Sequence, residues 1–149
     1  MNRTVRTIQK LILIFSVIFL SACQESGTWT DDAQNWERIF QHEKPSDVTL
    51  LHSSYWRSPH FTYEYEYFLQ IQKNSAFEKQ ILSAYPMAEI VDKKELAELA
   101  QGSQGRPDWF IPKPISKYRV WKYSDLVDSR FRLLIDKESG DVFLTDIQL

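Results

Sequence analysis

Phe61-Thr62-Tyr63-Glu64-Tyr65-Glu66-Tyr67-Phe68-Leu69-Gln70-Ile71-Gln72 is the stretch that decides the fold. Neighbouring side chains of a β-strand point to opposite faces. Read that way, Phe61, Tyr63, Tyr65, Tyr67, Leu69 and Ile71 share one face. Thr62, Glu64, Glu66, Gln70 and Gln72 share the other, and Phe68 is the exception. Alternation sustained this long predicts an antiparallel strand with one buried and one wetter face, not the continuous apolar run of a parallel sheet.

The flanks fit that strand into an antiparallel sheet. Upstream, Val48, Leu50, His52 and Trp56 alternate with more polar positions, and Ser58-Pro59-His60 supplies a hairpin turn. Before them, Ala33, Trp36, Ile39 and Phe40 recur at helical spacing. Thr30 is the expected N-cap, and Asp31 and Asp32 suit the first turn, so a helix is predicted over 31–42, ended by Pro45.

Downstream, Ser75 and Glu78 form a capping box ahead of the stripe Phe77, Ile81, Leu82 and Tyr85. Met87 to Val91 is a short extended piece. Asp92 with Glu95 opens a second helix carrying Leu96, Leu99 and Ala100, which Gly102 stops. Residues 102–116, with two glycines and three prolines, read as a loop. Strands are expected at Tyr118 to Ser124, Arg130 to Asp136 and Val142 to Ile147, the last two joined by a turn at Lys137-Glu138-Ser139-Gly140. Within them Phe131, Leu133 and Ile135 share a face, and so do Phe143, Thr145 and Ile147. The expected order is α-β-β-α-α-β-β-β. It predicts an α+β domain over 30–149, an antiparallel sheet of about five strands with helices packed on one face, of cystatin-like or NTF2-like shape.

The start of the chain follows another logic. Arg3, Arg6 and Lys10 precede an apolar run from Leu11 to Leu20, and Leu20-Ser21-Ala22-Cys23 closes it. Ten helical residues span roughly 15 Å, half of a ~30 Å hydrocarbon core, which fits a signal-peptide core and not a stable span. The segment Leu20-Ser21-Ala22-Cys23 resembles the lipobox of bacterial lipoproteins, and the resemblance covers the leader alone. It implies a signal peptide over 1–22, diacylglycerol on the Cys23 sulfur, cleavage before Cys23 and acylation of the new amino group. Residues 23–29 would form a short lipidated tether. Several acyl chains hold firmly where one holds marginally, at about 0.8 kcal/mol per buried methylene. With Gln24 and not Asp after the cysteine, the resemblance implies the outer membrane, facing the periplasm. Cys23 is the only cysteine, so no intramolecular disulfide forms.

Composition narrows the partners. The leader carries three of the 18 basic residues and none of the 20 acidic ones, leaving 15 against 20 and a formal charge of −5. That balance disfavours nucleic acid, whose recognition needs a basic surface. All but Phe15 and Phe19 of the 21 aromatic residues lie beyond the leader, more than a small core uses, and the surplus is where a binding surface is to be sought.

Catalytic and cofactor signatures are sparse. His42, His52 and His60 fall in three different settings without metal-ligand spacing, so no metal is expected. Gly102-x-x-Gly105 lacks the third glycine and the following helix of a phosphate cradle, and no cofactor is expected. Glu64 and Glu66 would sit about 7 Å apart on a strand face, near the spacing of glycosidase carboxylates, but surface charge explains them as well. Arg119, Trp121 and Tyr123 share a strand face, as do Tyr55 and Arg57, either as cation–π patches or as packing. The best candidate binding segment is Pro107 to Pro114, with Asp108, Trp109, Phe110 and Ile111 as contact residues on a proline-stiffened loop. The alternative is that Trp109 and Phe110 fold back as a plug on the sheet.

The function expected is that of a lipid-anchored, non-enzymatic envelope protein binding a protein partner. In size and composition it is similar in kind to immunity proteins and lysozyme-inhibitor lipoproteins. An accessory or scaffold lipoprotein of an envelope assembly or secretion complex is the alternative, and a hydrolase using Glu64 or Glu66 a weaker one.

Overall fold

A computed structural model describes residues 26–59, 63–126 and 128–149. The leader and the lipobox with Cys23 lie outside the described residues, as do His60, Phe61 and Thr62 of the expected turn and strand. Three strands make up the half of the sheet around the decisive stretch. These are β1 (Gly27–Thr30), β2 (Leu50–Arg57) and β3 (Tyr65–Ile71). Between β1 and β2 lies helix α1 (Asn35–Phe40). Helix α2 (Ser75–Ala84) follows β3, then β4 (Met87–Glu89) and helix α3 (Lys93–Gln101). After the 102–116 loop and a 3₁₀ turn (Ile115–Lys117) come β5 (Tyr118–Tyr123), β6 (Arg132–Asp136) and β7 (Val142–Gln148). The strands form one sheet in the order β1-β2-β3-β7-β6-β5-β4, every neighbouring pair antiparallel.

The α+β class and the antiparallel pairing are as expected, but the sheet has seven strands and not about five. The additional strands are short. β4 is the extended Met87 piece, at one edge. β1 occupies what the sequence offers as tether and N-cap. Trp29 pairs with Tyr55 and stacks on its ring, centroids 5.8 Å apart. The fully buried Asn35 amide fixes the strand by donating to the Trp29 carbonyl at 2.9 Å and to Ser53 Oγ at 3.0 Å. Thr30 is therefore a strand residue. Asp32 instead takes the Gln34 N–H at 2.8 Å, and the helix expected over 31–42 shrinks to α1, ended by Gln41 at φ +59°.

Two caps show how local chemistry sets the other helices. Asn74, one residue before the expected box, accepts from the N–H groups of Ala76 and Phe77 at 3.1 and 3.0 Å. Asp92 takes the Glu95 N–H at 2.8 Å as expected, and Gly102 closes α3 at φ +71°.

The sheet is buried on both faces. On one, Tyr67, Leu69, Ile71, Leu133 and Leu144 pack under Trp36 of α1 and Phe77 of α2; this is the tyrosine face. On the other, Phe68, Val120, Leu134 and Phe143 pack under Phe110 and Ile111 of the loop, with Leu96 and Leu99 of α3 beside them; this is the loop face. The expectation of helices on a single face is thus corrected, because α3 crosses to the loop face. Phe68, the exception in the alternation, is the loop-face residue that needed a cover. The two apolar sets of the last hairpin also part: Leu133 opposes Leu144 on the tyrosine face, while Phe143 and Thr145 point to the loop face.

Candidate functional site

The loop carrying the expected contact residues is a structural cover. Phe110 is 2 % exposed and meets Phe68 and Phe143 edge-on, at centroid distances of 4.8 and 5.7 Å. Ile111 is buried too, at φ +54°. That left-handed conformation costs a β-branched residue of order 1–3 kcal/mol and persists because the packing around it leaves no alternative. Trp109 is half-buried and stacked on the His52 ring at 5.3 Å, and Asp108 alone of the four is exposed. Phe110 and Ile111 are thus corrected from contact residues to core.

The far end of the loop is clamped by charge. Lys113 Nζ reaches Asp136 at 2.8 Å and Glu138 at 2.9 Å. Burial pushes the Asp136 carboxyl up, but Lys113 and the N–H groups of Glu138 and Ser139 outweigh it and hold its pKa below the ordinary value.

Glu66 does not sit on an open strand face. Its carboxylate accepts the Ser103 hydroxyl, and a Cβ at Gly105 would run into it, so the 102–116 loop lies directly over it. Glu64 precedes β3, its carbonyl accepting the Ser58 N–H at 3.1 Å. Among the described residues no group of three or more His, Cys, Asp or Glu is placed to hold a metal, and no helix is long and apolar enough to cross a membrane. Arg119 lies over the buried Trp121 ring at 4.4 Å, combining the two readings of that strand face.

The tyrosine face holds the more distinctive feature. Between α1 and α2 it opens into a cleft of about 270 Å³, lined by Tyr55, Tyr63, Tyr65, Tyr67, Tyr85 and Tyr123, six of the chain's seven tyrosines. Phe40, Phe131, Arg38 and Asp146 complete much of the wall. The rings brace one another. Tyr65 and Tyr67 stack at 6.2 Å, Tyr123 stacks on Phe131 at 4.8 Å, and Tyr85 meets Tyr123 edge-on at 5.6 Å. At the rim Tyr63 and Tyr85 are 44 % and 54 % exposed, and the Arg57 guanidinium lies 4.6 Å over the Tyr63 ring.

Asp146 is the one carboxylate in this wall. The Tyr65 hydroxyl donates to its Oδ2 and the Ile147 N–H to its Oδ1, both at 2.9 Å. Burial raises its pKa, and the Tyr65 bond, the Ile147 N–H and the charge of Arg132 offset this only in part. Burial also raises the Tyr55 phenol to about 12 and lifts Tyr65, Tyr67 and Tyr123. The hydroxyls therefore stay protonated at neutral pH and can donate. Arg38 is held away by an ion pair to Asp32 at 3.1 Å, a bond to Asn35 at 2.9 Å and the Trp29 ring under its guanidinium.

The loop face has a smaller opening of about 240 Å³, between α3, the loop and β7, with Thr145 in its lining. Its charged rim is stitched together: Glu95 pairs with Lys122 at 2.8 Å and Arg132 at 3.4 Å, and Arg106 donates to the Ala100 carbonyl at 3.0 Å.

Alternation assigns the tyrosines to the core and does not reveal the cleft. Two signals point to it. Tyrosine carries a hydroxyl that needs a partner or water, so three tyrosines in succession on one strand face mark where a core ends. In β7, Asp146 interrupts the apolar series Val142, Leu144.

No family model matches the chain, and no curated protein or solved structure is similar enough to it to count as a relative.

Proposed function

We propose that this chain is a lipid-anchored envelope protein whose domain binds a protein partner through the tyrosine cleft, acting by occupancy and not by catalysis, as an inhibitor or immunity protein does. The observation that carries the reading is the gathering of six tyrosines, with Arg57 over one of them, into a single opening. Tyrosine and arginine are the residues on which interface energy concentrates, and tyrosine offers a broad rigid contact at low entropy cost. The basic start, apolar run and Leu20-Ser21-Ala22-Cys23 support anchoring through acyl chains on Cys23, and Gln24 in place of Asp after it favours the outer membrane, facing the periplasm. A formal charge of −5 beyond the leader favours a basic partner. Helices α1 and α2 lying over one side of an antiparallel sheet support a cystatin-like or NTF2-like shape, which carries no activity with it.

The test has two arms. Mass spectrometry of the chain purified from bacterial membranes is expected to find Cys23 as first residue with fatty acids added. A start at Met1, or a bare thiol, ends the lipoprotein reading. In the second arm, affinity-tagged full-length chain in non-ionic detergent captures its partner from envelope extracts, and Tyr63→Ala/Tyr85→Ala is expected to lose it. Equal capture by both forms rules out the cleft as the interface. A partner from a secretion or cell-wall assembly would favour the scaffold alternative over inhibition.

A further inference from the structure

We propose that the tyrosine cleft is a receptor for one cationic side chain, a lysine or arginine presented by a basic partner protein, with Asp146 as the counter-charge and the tyrosine rings as the cage. The proposal rests on the reading of the cleft as a protein-binding site and specifies what enters it.

Aromatic faces carry negative electrostatic potential, and a cation over them is held more strongly when water is excluded. Here the rings stand around a carboxylate that the fold hydrogen-bonds but gives no contact ion pair. Among the described residues Asp146 forms no ion pair. An ionised carboxylate offers roughly four acceptor positions, and Tyr65 and Ile147 take two of them. Arg38, the arginine in the wall, is spent on Asp32, Asn35 and Trp29. Arg132, whose charge reaches Asp146 without touching it, is paired with Glu95 at 3.4 Å and donates to the Ser129 and Phe131 carbonyls. The cation that would balance Asp146 is therefore one brought from outside.

Size points the same way. At about 270 Å³ the opening falls below the roughly 300–1,000 Å³ of drug-sized ligand sites, and suits a single long side chain. The chemistry suits lysine or arginine in particular, because their aliphatic stems pack along rings while the head reaches the carboxylate. The net acidity of the domain draws such a partner in.

The test needs no identified partner. Full-length chain with ¹³C-labelled tyrosine, in non-ionic detergent, is titrated by NMR with n-butylammonium chloride, and separately with 1-butanol as the neutral isostere and butyrate as the anion. The expected result is a saturable shift of the Tyr65, Tyr67 and Tyr123 ring signals by butylammonium, with butanol and butyrate at least tenfold weaker. Asp146→Asn is expected to weaken butylammonium at least tenfold. Tyr85→Ala, at an exposed rim position, is expected to weaken it severalfold with the fold undisturbed. Butanol binding as well as butylammonium, no saturable shift, or unchanged affinity in either variant overturns the proposal. Because the probe is a small cation, these outcomes are independent of partner capture: a cleft that binds butylammonium but retrieves no protein counts against the proposed function and not against the cation site.

Discussion

The two faces of the sheet both carry aromatic side chains under a cover, and they differ in what the cover leaves exposed. On the loop face, Phe110 and Ile111 press onto Phe68 and Phe143 and bury them, and the opening of about 240 Å³ left beside them has a rim where Glu95 pairs with Lys122 and Arg132. On the tyrosine face, α1 and α2 cover the Leu69–Leu133–Leu144 centre but leave the tyrosine end of β3 open between them. An irregular segment can follow the surface beneath it and bury the rings it meets. Two rigid helices meet a sheet along their stripes and leave a gap where they diverge. Tyrosine, with a wet end and an apolar body, suits the rim of such a gap.

The sharpest way to break this contrast is Phe110→Ala. If the loop is a seal, the loss should be about 3–5 kcal/mol in urea unfolding; a cost below about 1 kcal/mol would show the loop to be a loose flap. The clamp at the loop's end comes next. Asp136 is buried and hydrogen-bonded, so Asp136→Asn should cost about 1–3 kcal/mol at neutral pH. Its folded pKa lies below the unfolded 3.8. Its stabilisation is thus present above pH 3.8 and lost as pH falls through the folded value, and Asp136→Asn should lack that acid-dependent part of the unfolding curve.

On the tyrosine face stability and binding should separate. Tyr63→Ala/Tyr85→Ala removes two exposed rings, so unfolding should move by less than about 1 kcal/mol. Partner affinity should fall by tenfold or more, about 1.4 kcal/mol. A large stability loss without a binding loss would make this face core after all. The smallest effect has the opposite sign. The folded pKa of Asp146 is raised, so its charge opposes folding at pH values above the folded pKa, and the penalty vanishes below the unfolded 3.8. Asp146→Asn should therefore raise the melting temperature slightly at neutral pH. The two curves should converge in acid. A variant less stable than the parent at pH 7 would mean that the carboxylate is already paid a counter-charge within the fold.

The legibility of each face follows from the physics that holds it. Period-2 runs at 65–71 and 142–147 and the Asp92 cap are local signals, and the strands and α3 were readable from them. The cover over Phe68 was not, because it comes from a segment more than thirty residues away with no periodicity of its own. β1 escaped for a related reason: the buried Asn35 amide, a tertiary contact, holds Trp29 extended. The Trp109–Phe110 pair and the β3 tyrosines illustrate the limit most plainly. Both are aromatic clusters, and only the packing partner decides which becomes cement and which remains surface.

Strand β1 starts at Gly27 and pairs there with Arg57, the residue lying over the Tyr63 ring. Three residues lie between Cys23 and Gly27, so four chain steps make a leash of about 14 Å at full stretch. Were that sulfur acylated, the mouth of the cleft would ride at headgroup height with almost no freedom to roam. Whatever enters it would have to come down to the bilayer, which restricts the encounter to a thin layer and raises the local concentration of anything that travels along the membrane.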